Sequence, residues 1–154
     1  MTQIAAWLSA GVVLPRLAAP TRKLAIQSLA HALARATNLP REAVFDAVMT
    51  RERQAPTGLG FGVALPHARV AGLSGPVCGL ARLESPVNFK ALDGAPADLV
   101  IMLLTPASDG ALHLKALAAL ARQLRRADVR DRLRSARGLE GLLAAFEGLQ
   151  VNAA

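Results

Sequence analysis

The sequence is short of the residues that brace a small fold by covalent or metal chemistry. Its 154 residues include one cysteine, three histidines, one tryptophan, four phenylalanines and no tyrosine. A lone cysteine excludes an internal disulfide, and the apolar run around Cys78 makes it a buried thiol suited to a reducing compartment, which points to the cytoplasm. So few aromatics leave the core to aliphatic side chains. A chain of this length buries enough of them to stand as one domain without disulfide or metal. Long apolar runs are also missing. The cleanest, LVIMLL from Leu99 to Leu104, falls far short of the roughly 20 residues that cross a bilayer, so no membrane insertion is expected. The N-terminal MTQIAAWLSAGVVLPRL is apolar but lacks the basic residues that precede a signal peptide's hydrophobic segment, and it reads as a first structural element. Acidic residues are outnumbered, 11 against 18 basic, for a formal net charge of +7. That balance favours anionic partners: nucleic acid, phosphate or an acidic protein.

Hydrophobic patterning supplies the elements. Gly11 to Leu14 is a short strand, closed by turn material around Pro20. Thr21 is a good N-cap for a helix over TRKLAIQSLAHALARAT, with Leu24, Ala25, Ser28, Leu29, Ala32 and Leu33 on one stripe. A second helix starts at Pro40 and runs to between Arg51 and Gln54, with Val44, Phe45, Val48 and Met49 inward. Residues 77–83 and the SPVNF segment ending at Phe89 are extended. Residues 98–104 read as a central strand buried on both faces and stopped by Thr105-Pro106. Ser108 or Asp109 caps a long helix, one or two more helices follow, and the tail VNAA is frayed. The order, roughly β-α-α-β-β-β-α-α, implies an α/β fold: one three-layer α/β/α domain with a mixed sheet flanked by helices on both faces.

The densest chemical signal is GLGFGVALPHARV, residues 58–70. Gly58, Gly60 and Gly62 suggest a nucleotide loop, yet no Gly-Lys-Ser/Thr follows, and Val63 stands where a dinucleotide fingerprint needs its third glycine. Two readings remain for the glycines: a tightly turning loop, or close backbone approach of N–H groups to an anion. His67 is presented from a stiff segment, because Pro66 fixes its own φ and biases Leu65 toward extended geometry. An imidazole so held is either a structural side chain or a nucleophile near neutral pH. His113 shares a helical stripe with Leu117, Leu120 and Leu124 and so points toward the sheet, near a helix N-terminus that favours anions. His31 lies between alanines and reads as a structural or surface side chain. The histidines lack metal-ligand spacing, and no Gly-x-Ser-x-Gly elbow is present. Residues 122–137 hold seven arginines and two aspartates, read first as a solvated face and second as a protein-docking surface. Without interleaved aromatics or a binding motif, a nucleic-acid partner is not expected.

Arg51-Glu52-Arg53 followed by Pro56-Thr57-Gly58-Leu59-Gly60-x-Gly62-Val63-Ala64-Leu65-Pro66-His67 resembles the enzyme IIA proteins of the bacterial phosphoenolpyruvate:sugar phosphotransferase system. It is similar to the fructose/mannitol (type-2) branch and most of all to the nitrogen-regulatory members, over about residues 5–148. The resemblance implies a helix-covered mixed sheet. It implies that His67 accepts a phosphoryl group, that His113 helps settle it and that Arg51 neutralises its charge, with Thr57, Gly58, Gly60 and Gly62 as phosphate-loop candidates. It also implies an HPr-like phosphocarrier as donor and, downstream, regulated protein targets or a IIB subunit. No cofactor or metal is implied, because a phosphohistidine donor is already activated. Nitrogen-regulatory relatives often carry His-x-His at the second site, where this chain has His113-Leu114-Lys115. A non-catalytic interaction module that binds through the arginine face is the alternative from another class.

Overall fold

A computed structural model describes the backbone of residues 2–153. Thr2 caps a first helix, α1 (Gln3–Ser9), by accepting from Ala5 N, so the apolar N-terminus is helical and buries Ile4, Ala5 and Leu8. Strand β1 (Val12–Leu17) follows, then α2 (Arg22–Thr37) and α3 (Arg41–Gln54). Thr21 accepts from Leu24 N at 3.1 Å and caps α2 as expected. The buried face of α2 is rotated from the expected stripe: Ala25, Ile26, Leu29, Ala30, Leu33 and Ala34 are inside, and Leu24 is exposed. In α3 the expected Val44, Phe45, Val48 and Met49 are buried, joined by Glu52.

Where the sequence suggested only a loop, the chain forms three short strands: β2 (Gly58–Gly60), β3 (Val63–Ala64) and β4 (His67–Val70). β2 and β3 make a hairpin around Phe61-Gly62. Both turn residues have positive φ, 57° and 78°, the sign pattern of a type I′ turn, whose twist matches that of paired strands. β3 and β4 lie end to end along the same neighbour, interrupted at Leu65-Pro66, where proline has no N–H to give the ladder. The stretch 77–89, expected as two extended pieces, is one long strand, β5 (Val77–Val87), with Phe89 buried beyond its end. β6 (Ala97–Pro106) continues through Thr105-Pro106 rather than stopping before them, because Thr105 and Pro106 still face Arg69 and Val70 of β4.

The sheet is mixed, in the order β1-β5-β6-β3-β2 with β4 also on β6. β6 antiparallel to β5 and parallel to β3 and β4 is its spine. Alternation along β6 builds both cores. Val100, Met102 and Leu104 pack with α2 and α3, whereas Leu99, Ile101 and Leu103 pack toward the other face, covered by α1, α4 (Gly110–Leu124), α5 (Ala127–Ser135) and α6 (Leu139–Ala153). The expected three-layer α/β/α architecture is present. Cys78 is buried at β5, and burial pushes its thiol pKa up, which suits an inert packing role. Of the expected frayed tail VNAA, the backbone through Ala153 belongs to α6, and Ala154 lies outside the described residues. Among the described residues no helix is long and apolar enough to cross a membrane.

Candidate functional site

Strand alternation decides which side chains meet. Ala68 and Val70 of β4 pack with α2 and α3, so His67 and Arg69 project toward α4. In register with them on β6 stand Leu103 and Thr105. Asp109 caps α4 by accepting from Leu112 N at 3.0 Å, which fixes the helix start just past the end of β6. His113, one turn inside α4, then lies with its ring centroid 5.5 Å from that of His67. Two histidines 46 residues apart in sequence thus share one site.

His67 is 6% exposed, and its Nδ1 is 2.8 Å from the carbonyl oxygen of Leu65. A carbonyl only accepts, so Nδ1 carries the proton and donates, and the neutral ring keeps its lone pair on Nε2. The rigid Leu65-Pro66 step supplies this acceptor two residues back. Burial lowers the His67 pKa below its ordinary value. The Leu65 bond opposes that shift in part, and the nearby Arg51 charge adds to it. His113 is also lowered, by burial first and then by the charges of His67, Arg69 and Arg51. Both rings are therefore neutral at neutral pH, the state in which an imidazole nitrogen is nucleophilic.

A cleft of about 230 Å³ opens beside His67, lined among others by Arg51, Thr57, Gly58, Leu65 and Leu117. Arg51, in the last turn of α3, donates to Ala55 O at 2.8 Å, which orients its guanidinium along the cleft. Arg69 donates to Ala107 O and contributes positive charge near His113. Nothing in the local sequence marks Arg69 as strongly as it marks His67. Its signal was its position two residues after His67 in an extended run, hence on the same strand face. A larger, mostly apolar groove of about 640 Å³ runs along β1 and α2 past His31, apart from the histidine pair. His31 packs edge-on to Phe45 at 6.0 Å with its Nε2 3.4 Å from Glu42, in keeping with a structural role.

The loop candidates divide. Thr57 and Gly58 line the cleft, but both hydrogen-bond donors of Thr57 are engaged. Its N–H donates to Glu52 Oε2 at 3.0 Å and its hydroxyl to Glu52 Oε1, so neither is free to bind a phosphate. Thr57 anchors the strand start instead. Gly60 and Gly62 turn away from the cleft. A Cβ on Gly60 would meet the Asp93 carboxylate at 3.0 Å, and one on Gly62 would lie 2.5 Å from Arg134 Nη2. These glycines make room for the ion-paired contacts that hold the hairpin: Phe61 N donates to Asp93 Oδ2 at 2.9 Å, and Arg134 donates to Phe61 O at 2.7 Å and to Asp98 Oδ1 at 2.9 Å. Arg130 adds a cation–π contact, its guanidinium 4.4 Å from the Phe61 ring centroid. The arginine-rich segment is therefore mixed. Arg130 and Arg134 clamp the hairpin, and Arg122, Arg125, Arg126, Arg132 and Arg137 are exposed.

In the sequence Glu52 is one charge among three in Arg51-Glu52-Arg53. It is 2% exposed, and Arg22 Nη1 also approaches its Oε2 at 3.3 Å. The signal was present: position 52 continues the buried Phe45, Val48, Met49 stripe at helical spacing. Among the described residues no group of three or more His, Cys, Asp or Glu side chains is arranged to hold a metal ion.

Residues 7–148 match the family model described as phosphoenolpyruvate-dependent sugar phosphotransferase system, EIIA 2. The chain is 41% identical over 135 residues to a nitrogen regulatory protein of Bradyrhizobium diazoefficiens, covering 87% of this chain and 88% of that one. It is 44% identical over 93 residues to a fructose-specific EIIA component of Haloferax volcanii, covering 60% of each. The crystal structure of nitrogen regulatory protein IIA-Ntr from Neisseria meningitidis superposes with a TM-score of 0.84 at 31% identity, covering 94% of this chain and 99% of that one. With a family model spanning nearly its whole length and a nitrogen-regulatory relative matching in sequence and in fold, the chain belongs to the EIIA type-2 family of the phosphoenolpyruvate-dependent phosphotransferase system.

Proposed function

We propose that the protein is a phosphohistidine carrier of the nitrogen-regulatory type. His67 Nε2 takes a phosphoryl group from an HPr-like protein, and the phosphorylation state changes which protein partners are bound. The observation that carries this reading is the Leu65 carbonyl on His67 Nδ1, which leaves a lone pair on Nε2 beside a cleft holding Arg51 and next to His113. The proton count closes without a separate base. A donor phosphohistidine protonated on its ring transfers its phosphoryl group: the donor P–N bond breaks, a new P–N bond forms at His67 Nε2, and the donor leaves as neutral imidazole. His67 becomes a phosphorylated imidazolium that keeps its Nδ1 proton, and the Leu65 bond strengthens as its donor becomes charged, to about 1.5–3 kcal/mol. The transition state is loose, so positioning and charge neutralisation carry the rate, a task suited to Arg51, with Arg69 adding positive charge.

A second reading, a sugar-specific IIA that passes the phosphoryl group to a IIB subunit, is favoured by the fructose-specific relative. Incubation with phosphoenolpyruvate, the upstream enzyme and an HPr-like carrier is expected to add about 80 Da to the wild type and nothing to His67→Ala. Retention of the mass gain in His67→Ala overturns the assignment. Onward transfer to a cognate IIB replaces the regulatory reading with the sugar-specific one.

A further inference from the structure

Thr105 is fully buried on β6, on the face that carries His67 and Arg69. Its Oγ1 lies 2.6 Å from His113 Nδ1, and this is its one hydrogen bond among the described residues. A hydroxyl has one proton to give and lone pairs to accept with, so either direction is open in isolation. Burial removes the choice. Were His113 Nδ1 the donor, the Thr105 O–H would be left without an acceptor in a place closed to water, which protein interiors avoid. With Thr105 donating, its proton is used, and the proton of the neutral imidazole resides on Nε2.

We propose that Thr105 is a positioning residue whose hydroxyl holds His113 as the Nε2–H tautomer, so that the second histidine meets a phosphoryl group on His67 as a hydrogen-bond donor. The two rings, 5.5 Å apart, are thereby held in opposite tautomers. The Leu65 carbonyl, which can only accept, puts the His67 proton on Nδ1 and frees Nε2 as a nucleophile. Thr105, which needs to donate, puts the His113 proton on Nε2. A lone pair at that nitrogen would repel phosphoryl oxygens, whereas an N–H stabilises the charge they gather in transfer. The benefit to transfer rests on the carrier reading above. The tautomer assignment does not.

The experiment is ¹⁵N-correlated NMR of the histidine rings at pH 8 in wild type, Thr105→Val and Thr105→Ser, paired with the single-turnover rate of phosphoryl acceptance from the HPr-like carrier. The wild type is expected to show a protonated Nε2 and an unprotonated Nδ1 on His113, Thr105→Ser to keep that pattern and rate, and Thr105→Val to show mixed tautomers and roughly a tenfold slower transfer, the scale of one modest hydrogen bond. A wild-type His113 protonated on Nδ1 overturns the proposal even if the valine variant does not fold. So does a folded Thr105→Val with unchanged tautomer and rate. If the wild type accepts no phosphoryl group, the carrier reading fails, and the ring spectra alone decide whether Thr105 sets the tautomer.

Discussion

Replacing Glu52 by alanine removes the group that ties the end of α3 to the strand leading into the candidate site. Two donors of Thr57, the backbone N–H at 3.0 Å and the side-chain hydroxyl, end on this buried carboxylate. Hydrogen bonds to a charged acceptor contribute about 1.5–3 kcal/mol each, and both donors are left in a buried place when the acceptor goes. Arg22, a quarter exposed, turns to water, so its share is held below about 1 kcal/mol. Relief from burying a carboxylate offsets part of the loss. The net expectation is about 3 kcal/mol, or a fall in Tm of about 6–12 °C for a domain of this size. Glu52→Gln preserves volume and one accepting oxygen and is expected to lose about half as much. Urea unfolding of the three proteins gives the free energies, and amide exchange at Thr57 reports whether this segment opens first. A Glu52→Ala variant within about 0.5 kcal/mol of wild type, the range of an ordinary surface change, would mean that Glu52 does not tie Thr57 to α3.

Gly62 of the hairpin and Gly94, in the turn between β5 and β6, separate strain from crowding. Gly62→Ala places a Cβ 2.5 Å from Arg134 Nη2 at a φ of +78° and is expected to cost about 2 kcal/mol in urea unfolding. Gly94→Ala, at +74° with open space around it, is expected to cost about 1 kcal/mol. Equal losses would mean that the Arg134 contact does not constrain the turn. For pH, His67 and His113 both titrate below the ordinary 6.5 in the folded chain. Between 6.5 and those lowered values the unfolded chain binds more protons, so the stability from holding them neutral is full above about pH 6.5 and is lost as pH falls through the folded values. Unfolding free energies measured from pH 8 to pH 4.5 are expected to decline less in His67→Ala/His113→Ala than in wild type. An identical decline contradicts the assignment of that acid sensitivity to these rings.

What was legible in the sequence is what local chemistry dictates. Pro66 before His67, Asp109 at a helix start and the Val44 to Met49 stripe each follow from φ restriction, capping or helical period, and each stands in the fold. The type I′ hairpin was not legible, because Phe61 is an unusual residue for positive φ and is held there by Asp93, Arg130 and Arg134 from distant parts of the chain. Leu24 was placed inside by period alone, whereas tertiary packing turned the neighbouring stripe of α2 to the sheet. At the candidate site, local sequence singled out His67 and His113, each with a structural alternative, and the family resemblance added Arg51. The partners that set their protons and fix their neighbours did not announce themselves: Glu52 sat between two arginines, and Thr105 looked like the end of a strand. Their roles depend on the strand register that sets Arg69 opposite Thr105 and on the packing that brings His113 of α4 onto Thr105 of β6, which a single sequence does not display. The glycine motif was legible as a motif, yet two of its three glycines serve the hairpin rather than the cleft.

On the proposed reading the chain carries its phosphoryl group on one defined atom, His67 Nε2. ³¹P and ¹⁵N NMR of the protein after phosphorylation by the HPr-like carrier locates the P–N bond directly. The expected product is a single phosphohistidine at His67, with phosphorus on Nε2 and Nδ1 still protonated and donating to the Leu65 carbonyl. A phosphoryl group on Nδ1 of His67, or on His113, would contradict it.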